Sequence, residues 1–353
     1  MPPATVAGSP AQVSVLDYHT AGEPFRIVTA GQPEIPGATV LERREFARHS
    51  PEVDAVRRLL VQEPRGHADM YGGFVVPADD DGADFGVLFW HKDGYSTACG
   101  HGTIALGAWA VNTGRVAAAP DGDTDVVIDV PSGRVTARVR LVGGRVRRVT
   151  FGNVASYLVA RGIEVPTSRG PVLADLGYGG ALYASVEAAS VGLAVTPEHY
   201  SELIAIGREV KWALNDSEWA RHASDPRLDG VYGTILFDDL GQLDGSPHQR
   251  NVTVFADGEV DRSPCGSGTS ARLAILAADG RLVPGQVLRH DSIIGTTFLG
   301  RVVEEVGVEL GTGDAAEHRP AVITEIEGMA YPTGTATFGI DADDPLGTGF
   351  LLR

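Results

Sequence analysis

Thr97-Ala98-Cys99-Gly100-His101-Gly102-Thr103 and Ser263-Pro264-Cys265-Gly266-Ser267-Gly268-Thr269 hold the only two cysteines of a 353-residue chain. Each cysteine opens the same pattern, C-G-x-G-T-x-A. Each pattern runs into an apolar, helix-favouring segment, residues 104–111 or 272–278. Each follows a strand-like run, residues 87–90 or 252–255, across a short polar turn. A unit of strand, turn, cysteine, glycines and buried helix therefore occurs twice. It predicts two similar α+β domains related by a pseudo-twofold axis, each with one buried helix among short strands.

Outward from the first turn, residues 13–19 alternate as a strand does, and residues 25–28 read as a second strand. Residues 39–60 have helical spacing interrupted by Pro51, which predicts two short helices. Residues 70–77 and 84–90 read as strands around Asp79-Asp80-Asp81-Gly82, an acidic turn that lacks the ligand spacing of a calcium loop. Residues 126–130 and 135–141 form a hairpin across Pro131-Ser132-Gly133, and residues 145–151 continue the sheet. In the second half, residues 182–186 read as a strand and residues 197–215 as the longest amphipathic helix. Residues 233–237 and 251–255 lead to the second cysteine turn. Residues 292–303, 306–310, 320–327 and 336–341 are strand-like. The chain divides into a disordered lead at 1–11, a first domain at 12–160 and a second at 161–329. Whether residues 330–353 cross back to complete the first domain is left open.

The length is large for one hydrophobic core, which supports two domains. A hydrophobic share of 43% with 21% charged residues is ordinary for a globular protein. A net charge of −17 repels phosphate backbones, so nucleic acid is not an expected partner. No run approaches the ~20 apolar residues that span a bilayer, so no membrane partner is expected. The first residues carry neither a basic nor an apolar leader region. These features predict a cytoplasmic protein. Two cysteines are too few for a disulfide framework, and the ten histidines lack paired-ligand spacing, so no metal is expected.

A cysteine at a helix start sits in the positive end of the helix dipole, which favours thiolate and lowers its pKa. Unpaired N–H groups at such a start bind carboxylates. Two facing starts would grip one carboxylate from both sides and set a sulfur on either face of the adjacent atom. That arrangement suits proton exchange at the α-carbon of an amino acid, one sulfur as base and the other as acid. The plainer alternatives are two packing cysteines, or a structural disulfide, which the cytosol disfavours. There is no C-x-x-C for a thioredoxin-like role. Residues 100–105 and 266–271 also satisfy G-x-G-x-x-A. The dinucleotide reading fails because neither strand runs directly into the glycines, no regular βαβ pattern follows, and no acid stands about 20 residues after the first turn.

At these residues the sequence resembles the proline racemase family, which includes hydroxyproline epimerases and trans-3-hydroxy-L-proline dehydratases. The likeness runs from Asp17-Tyr18-His19-Thr20-Ala21-Gly22-Glu23-Pro24 to Asp343-Asp344-Pro345-Leu346. Its most specific parts are Cys99-Gly100-His101-Gly102 and Asp261-Arg262-Ser263-Pro264-Cys265-Gly266-Ser267-Gly268-Thr269. The resemblance implies a diaminopimelate-epimerase-like α+β fold, two pseudo-symmetric domains each with a curved, mostly antiparallel sheet around a central helix. It implies a cofactor-independent enzyme acting on a small imino acid, proline or hydroxyproline, and a homodimer. It makes Cys99 and Cys265 the acid/base pair. It assigns the carboxylate to the amides of Gly100, His101, Gly266 and Ser267, and the ring nitrogen to His101 and Asp261.

Within the family two cues point different ways. Paired cysteines suit racemisation or epimerisation, which needs a competent group on each face. Residues 64–72, 94–99 and 343–352 look more like the dehydratase branch, whose members often carry Thr or Ser in place of one cysteine. Cys265 departs from that replacement. The leading expectation is two-cysteine inversion of the α-carbon; the alternative is dehydration of trans-3-hydroxy-L-proline. A non-catalytic amino-acid-binding protein is a third reading, and intact cysteines at both turns argue against it.

Overall fold

The duplicated unit is duplicated in three dimensions. The structure is a computed structural model that describes residues 12–283, 285–311 and 316–352; the expected lead at 1–11 lies outside them. The first half contains β1 (Val13–Thr20), β2 (Glu23–Ala30), α1 (Val40–His49), α2 (Pro51–Val61), β3 (Gly72–Val76), β4 (Phe85–His91), β5 (Gly94–Tyr95), α3 (Gly100–Asn112), β6 (Gly122–Val130), β7 (Gly133–Val142) and β8 (Arg145–Gly152). There follow β9 (Tyr157–Val165), β10 (Val172–Tyr178), β11 (Leu182–Glu187), α4 (Tyr200–Asn215), β12 (Val231–Leu243), β13 (Ser246–Phe255), β14 (Glu259–Asp261) and α5 (Gly266–Ala278). The chain closes with β15 (Leu288–Ser292), β16 (Thr297–Leu310), β17 (Glu317–Gly328) and β18 (Ala330–Phe338).

Around each cysteine the pairing is the same. β4 runs antiparallel to β5 and parallel to β6; β13 runs antiparallel to β14 and parallel to β15. Upstream, the parallel pair β2–β3 and antiparallel pair β3–β4 match β11–β12 and β12–β13. Downstream, the antiparallel run β6–β7–β8 matches β15–β16–β17. The last strand of each run crosses over. β9 follows β8 but pairs with β10, and β18 follows β17 but pairs with β1. The C-terminal strand thus returns to the first half, and the expected join at 160/161 falls inside β9. β8 pairs antiparallel with β17, linking all the strands in one 18-stranded sheet.

Both cysteine helices are central. Residues 100–110 of α3 and 266–276 of α5 are all buried, the polar ones among them, such as Arg272, included. α3 packs on β1, β2, β6, β7, β8 and β18; α5 packs on β9, β10, β11, β16 and β17. The α+β class, with one buried helix packed on the strands of each half, is therefore as expected. The two short helices also form. Thr39 caps α1, and Ser50 caps α2 ahead of Pro51 at its first turn.

Three strand boundaries differ from the sequence reading. Residues 292–303 and 306–310 do not form two strands. Ser292 ends β15, and β16 is continuous because a bulge between Val302 and Glu304 absorbs the break in alternation. The β12–β13 hairpin extends to Leu243 and Ser246 across Asp244-Gly245, both at positive φ as a tight hairpin turn requires. β18 begins at Ala330, earlier than expected, because pairing with β1 holds Tyr331 and Pro332 in register.

Candidate active site

The two helix starts meet backbone to backbone. A Cβ built on Gly100 would lie 2.6 Å from the Gly266 Cα and 2.8 Å from the Ser267 nitrogen. One built on Gly266 would lie 2.7 Å from the Gly100 Cα. Real Cβ atoms do not approach so closely, so only glycine lets the turns touch. The glycine after next makes room for sulfur: a Cβ on Gly102 would sit 2.8 Å from the Cys99 Sγ, and one on Gly268 2.9 Å from the Cys265 Sγ.

Cys99 takes extended backbone, φ −156°. Its Sγ caps α3 by accepting the Gly102 N–H at 3.2 Å, and lies 3.5 Å from the His101 Nδ1. The first intrahelical bond is Thr103 N–H to the Cys99 carbonyl, 3.0 Å, so the amides before it point out of the helix end. Thr20 Oγ1 donates to the His101 carbonyl at 2.9 Å and fixes the turn from β1.

Cys265 takes φ +62°, a left-handed conformation that costs a non-glycine residue about 1 kcal/mol or more. Its Sγ makes no cap bond and stands 3.9 Å from the Tyr183 hydroxyl. Buried polar groups hold the conformation. Asp261 Oδ1 accepts from the Ser263 N–H and hydroxyl at 2.8 and 2.7 Å, and Ser263 Oγ accepts the Cys265 N–H at 3.1 Å. Asn251 and Thr269 both donate to the Pro264 carbonyl at 3.1 Å.

Cys99, Gly100, His101, Asp261 and Cys265 line one small cavity with Ala98, Tyr71, Tyr183, Tyr232 and Phe255. Its volume is about 10 Å³, close to that of one water. Gly266 and Ser267 stand directly behind Gly100. All seven residues expected from sequence thus converge. Both cysteines are free thiols.

The electrostatics depart from the expected lowered thiol pKa. Burial pushes the Cys99 thiol well above its ordinary range; the Gly102 N–H opposes this, and Asp261 and Cys265 add to it. Burial raises Cys265 as well, followed by the charge of Asp261. Each cysteine is 6% exposed, and loss of water outweighs the helix dipole. Burial lowers His101 to about 3, so its imidazole is neutral where Nδ1 comes within 3.7 Å of the Asp261 carboxyl. Burial raises Asp261 to about 6 against the hydrogen bonds from Ser263. Glu23, fully buried, is held well above the carboxylate range by burial and then by Asp261; it accepts the Arg262 N–H at 2.7 Å. Arg262 is held in turn by Asp69 at 2.7 Å.

The aromatic wall escaped the sequence reading, yet a signal for it exists. Tyr71-Gly72 and Tyr232-Gly233 are a second repeat. The glycines take matching positions, Gly72 opposite Trp90 on β4 and Gly233 opposite Phe255 on β13. The preceding tyrosines meet across the cavity, hydroxyl to hydroxyl at 3.1 Å, and Tyr71 also hydrogen-bonds Ser96. Tyr71 packs edge-on against His101, ring centroids 4.9 Å apart.

Among the described residues, one group of potential metal ligands, His91, Asp93 and Glu259, brings three donor atoms within 4.8 Å of one another. Lys92 and Lys211 already set positive charge beside these acids. Among the described residues no helix is long and apolar enough to cross a membrane.

The family model described as Proline racemase matches residues 15–351. The chain is 44% identical over 342 residues to trans-3-hydroxy-L-proline dehydratase of Burkholderia cenocepacia (strain HI2424), covering 97% of this chain and 98% of that protein. It is equally similar, 44% over 342 residues with 97% and 98% covered, to 3-hydroxyproline 2-epimerase of Burkholderia multivorans (strain ATCC 17616 / 249). The fold superposes on a hydroxyproline epimerase from Agrobacterium vitis, solved with bound trans-4-hydroxy-L-proline. The TM-score is 0.87, the identity 31%, and the match covers 97% of this chain and 96% of that one.

Proposed function

This chain belongs to the proline racemase family, and on that premise we propose that it inverts the α-carbon of a hydroxyproline by a two-cysteine acid/base mechanism. The observation that carries the reading is the contact of two cysteine-bearing helix starts, with both sulfurs on one cavity. In this reading the substrate carboxylate accepts from the amides of Gly100, His101, Gly266 and Ser267, where two helix dipoles converge. The ring ammonium faces Asp261, and neutral His101 supports it. One sulfur, as thiolate, takes the α-proton; the opposite thiol delivers its proton to the other face. The enzyme ends with the two protonation states exchanged. The buried thiols need a compensating positive charge to ionise, and the substrate's own ammonium supplies it beside the reacting carbon.

A second reading is dehydration, favoured by the name of an equally similar relative. Here one thiolate takes the α-proton, the C2=C3 bond forms as the 3-hydroxyl leaves, and a proton from the enzyme completes a water molecule. Proton NMR in D₂O with trans-3-hydroxy-L-proline, trans-4-hydroxy-L-proline and L-proline separates the readings. Deuterium at the α-carbon with the opposite configuration appearing supports inversion. Loss of the 3-hydroxyl, without exchange of the other substrates, supports dehydration. Binding with no reaction of any of them returns the amino-acid-binding reading. Cys99→Ser and Cys265→Ser each lower inversion by at least about 10³-fold, the size of a lost general acid or base. Surviving turnover in either variant removes the two-base mechanism, and elimination retained in just one identifies the base.

A further inference from the structure

α4 buries Leu203, Ile206, Gly207, Val210 and Leu214 in a helical stripe, and at position 211 that stripe holds a lysine. Lys211 is 6% exposed. Withdrawing an ammonium from water costs several kcal/mol unless a partner compensates. Among the described residues, Lys211 Nζ has no carboxylate within 4.0 Å and no hydrogen-bond acceptor. Its close neighbour is the Trp212 ring, 3.7 Å from Nζ. Asp93, Asp257 and Glu259 bear on it from beyond ion-pair distance, and Asp93 and Asp257 share its cavity wall.

Lys211 lines a cavity of about 720 Å³, within the size range of small-molecule sites. Two other cations on its wall are committed elsewhere. Arg44 donates to the carbonyls of Tyr95 and Arg227, and Arg48 pairs with Glu45. The cavity abuts the catalytic one. Ser96 and Thr97, just ahead of Cys99, form part of its wall, and Tyr232 lines both cavities. The Tyr232–Tyr71–Ser96 hydroxyl chain runs along that shared wall. A five-membered imino acid is far larger than the 10 Å³ now open between the sulfurs, so the wall must part to admit one.

We infer that the large cavity is a vestibule, in which Lys211 takes the carboxylate of an incoming imino acid before Tyr232 yields passage to the cysteines. The inference rests on the reading of the substrate as an imino acid. An imino acid is a zwitterion with no net charge for the chain's −17 to draw or repel at long range, so an ammonium on the cavity wall gives its carboxylate a local anchor. Tyr232 is the partition because it alone of the aromatic wall borders both spaces.

The test is steady-state kinetics of Lys211→Met and Lys211→Arg with trans-3-hydroxy-L-proline and L-proline at several salt concentrations. Lys211→Met suits the apolar stripe and should fold; a thermal melt checks this, and Lys211→Gln serves if it does not. KM rises about tenfold in the methionine variant, the worth of one charge-assisted contact, while kcat falls less. The salt dependence of kcat/KM weakens, and arginine recovers most of the lost affinity. Wild-type KM and salt dependence in the methionine variant overturn the vestibule and leave Lys211 as packing on Trp212. A fall in kcat at unchanged KM overturns it too, making Lys211 a structural support. If the wild-type protein reacts with no imino acid, the functional reading falls and the vestibule with it.

Discussion

The turns at Cys99 and Cys265 carry one sequence pattern and two backbones. Cys99 is extended, caps its own helix through sulfur and touches His101. Cys265 is left-handed, caps nothing, and is held from behind by Ser263, Asp261, Asn251 and Thr269. A perfect twofold would repeat the conformation. The difference shows that the duplicated helices fix where the sulfurs are, while the segment before each cysteine fixes how each sulfur is presented. The first turn is a relaxed cap, and the second is a constrained one.

Where the halves are alike, paired substitutions should act alike. Gly100→Ala and Gly266→Ala each force the same backbone contact apart, and a misplacement of about 1 Å can cost on the order of 10²-fold in rate. Both variants should lose activity to a similar degree in the α-proton exchange assay. A loss confined to one would show that the contact is not shared.

Asp261 belongs to the second turn alone, and it should impose a pH dependence. Its pKa of about 6 comes from burial. If the ionised form holds the substrate ammonium, the pH profile of kcat/KM steepens below a break near pH 6, losing roughly a further tenfold per pH unit there, beneath the rise that ionising one raised thiol imposes at higher pH. Asp261→Asn should abolish this limb; a limb that survives belongs to another group. For stability the sign is reversed. Between about pH 4 and 6 the folded chain keeps a proton that the unfolded chain has released, so this carboxyl costs stability as pH rises through that window.

The smallest effect separates the two cysteines most directly. Cys99→Gly loses the sulfur cap and loosens extended backbone, costing about 1 kcal/mol. Cys265→Gly relieves a left-handed residue, offsetting about 1 kcal/mol of its loss. Calorimetric melts should show a lower Tm for Cys99→Gly and little change for Cys265→Gly. Equal losses would refute the contrast between relaxed and constrained turns.

Much of this site was legible because its residues are local to two repeats. Cys99, Gly100, His101, Gly266, Ser267 and Cys265 lie at helix starts, and helix starts are written in a few consecutive residues. Asp261 was legible from the family's Asp-Arg-Ser-Pro-Cys stretch. The aromatic wall was not. Tyr71 and Tyr232 are 161 residues apart, and their shared Tyr-Gly signature is too short to stand out without the strand register. Lys211 was hidden by its own helix, whose pattern was read as ordinary amphipathicity.

The thiol pKa marks the boundary between the two kinds of knowledge. The sequence by itself determined a duplicated α+β chain with two cysteines at matched helix starts, because periodicity and capping are short-range properties. Only the tertiary structure decided that Gly100 and Gly266 touch, that Cys265 is left-handed, and that β18 returns to β1. It also reversed the expected charge state. A helix dipole is a local field, whereas burial depends on every atom that displaces water. Here the displaced water outweighs the dipole and keeps both thiols protonated.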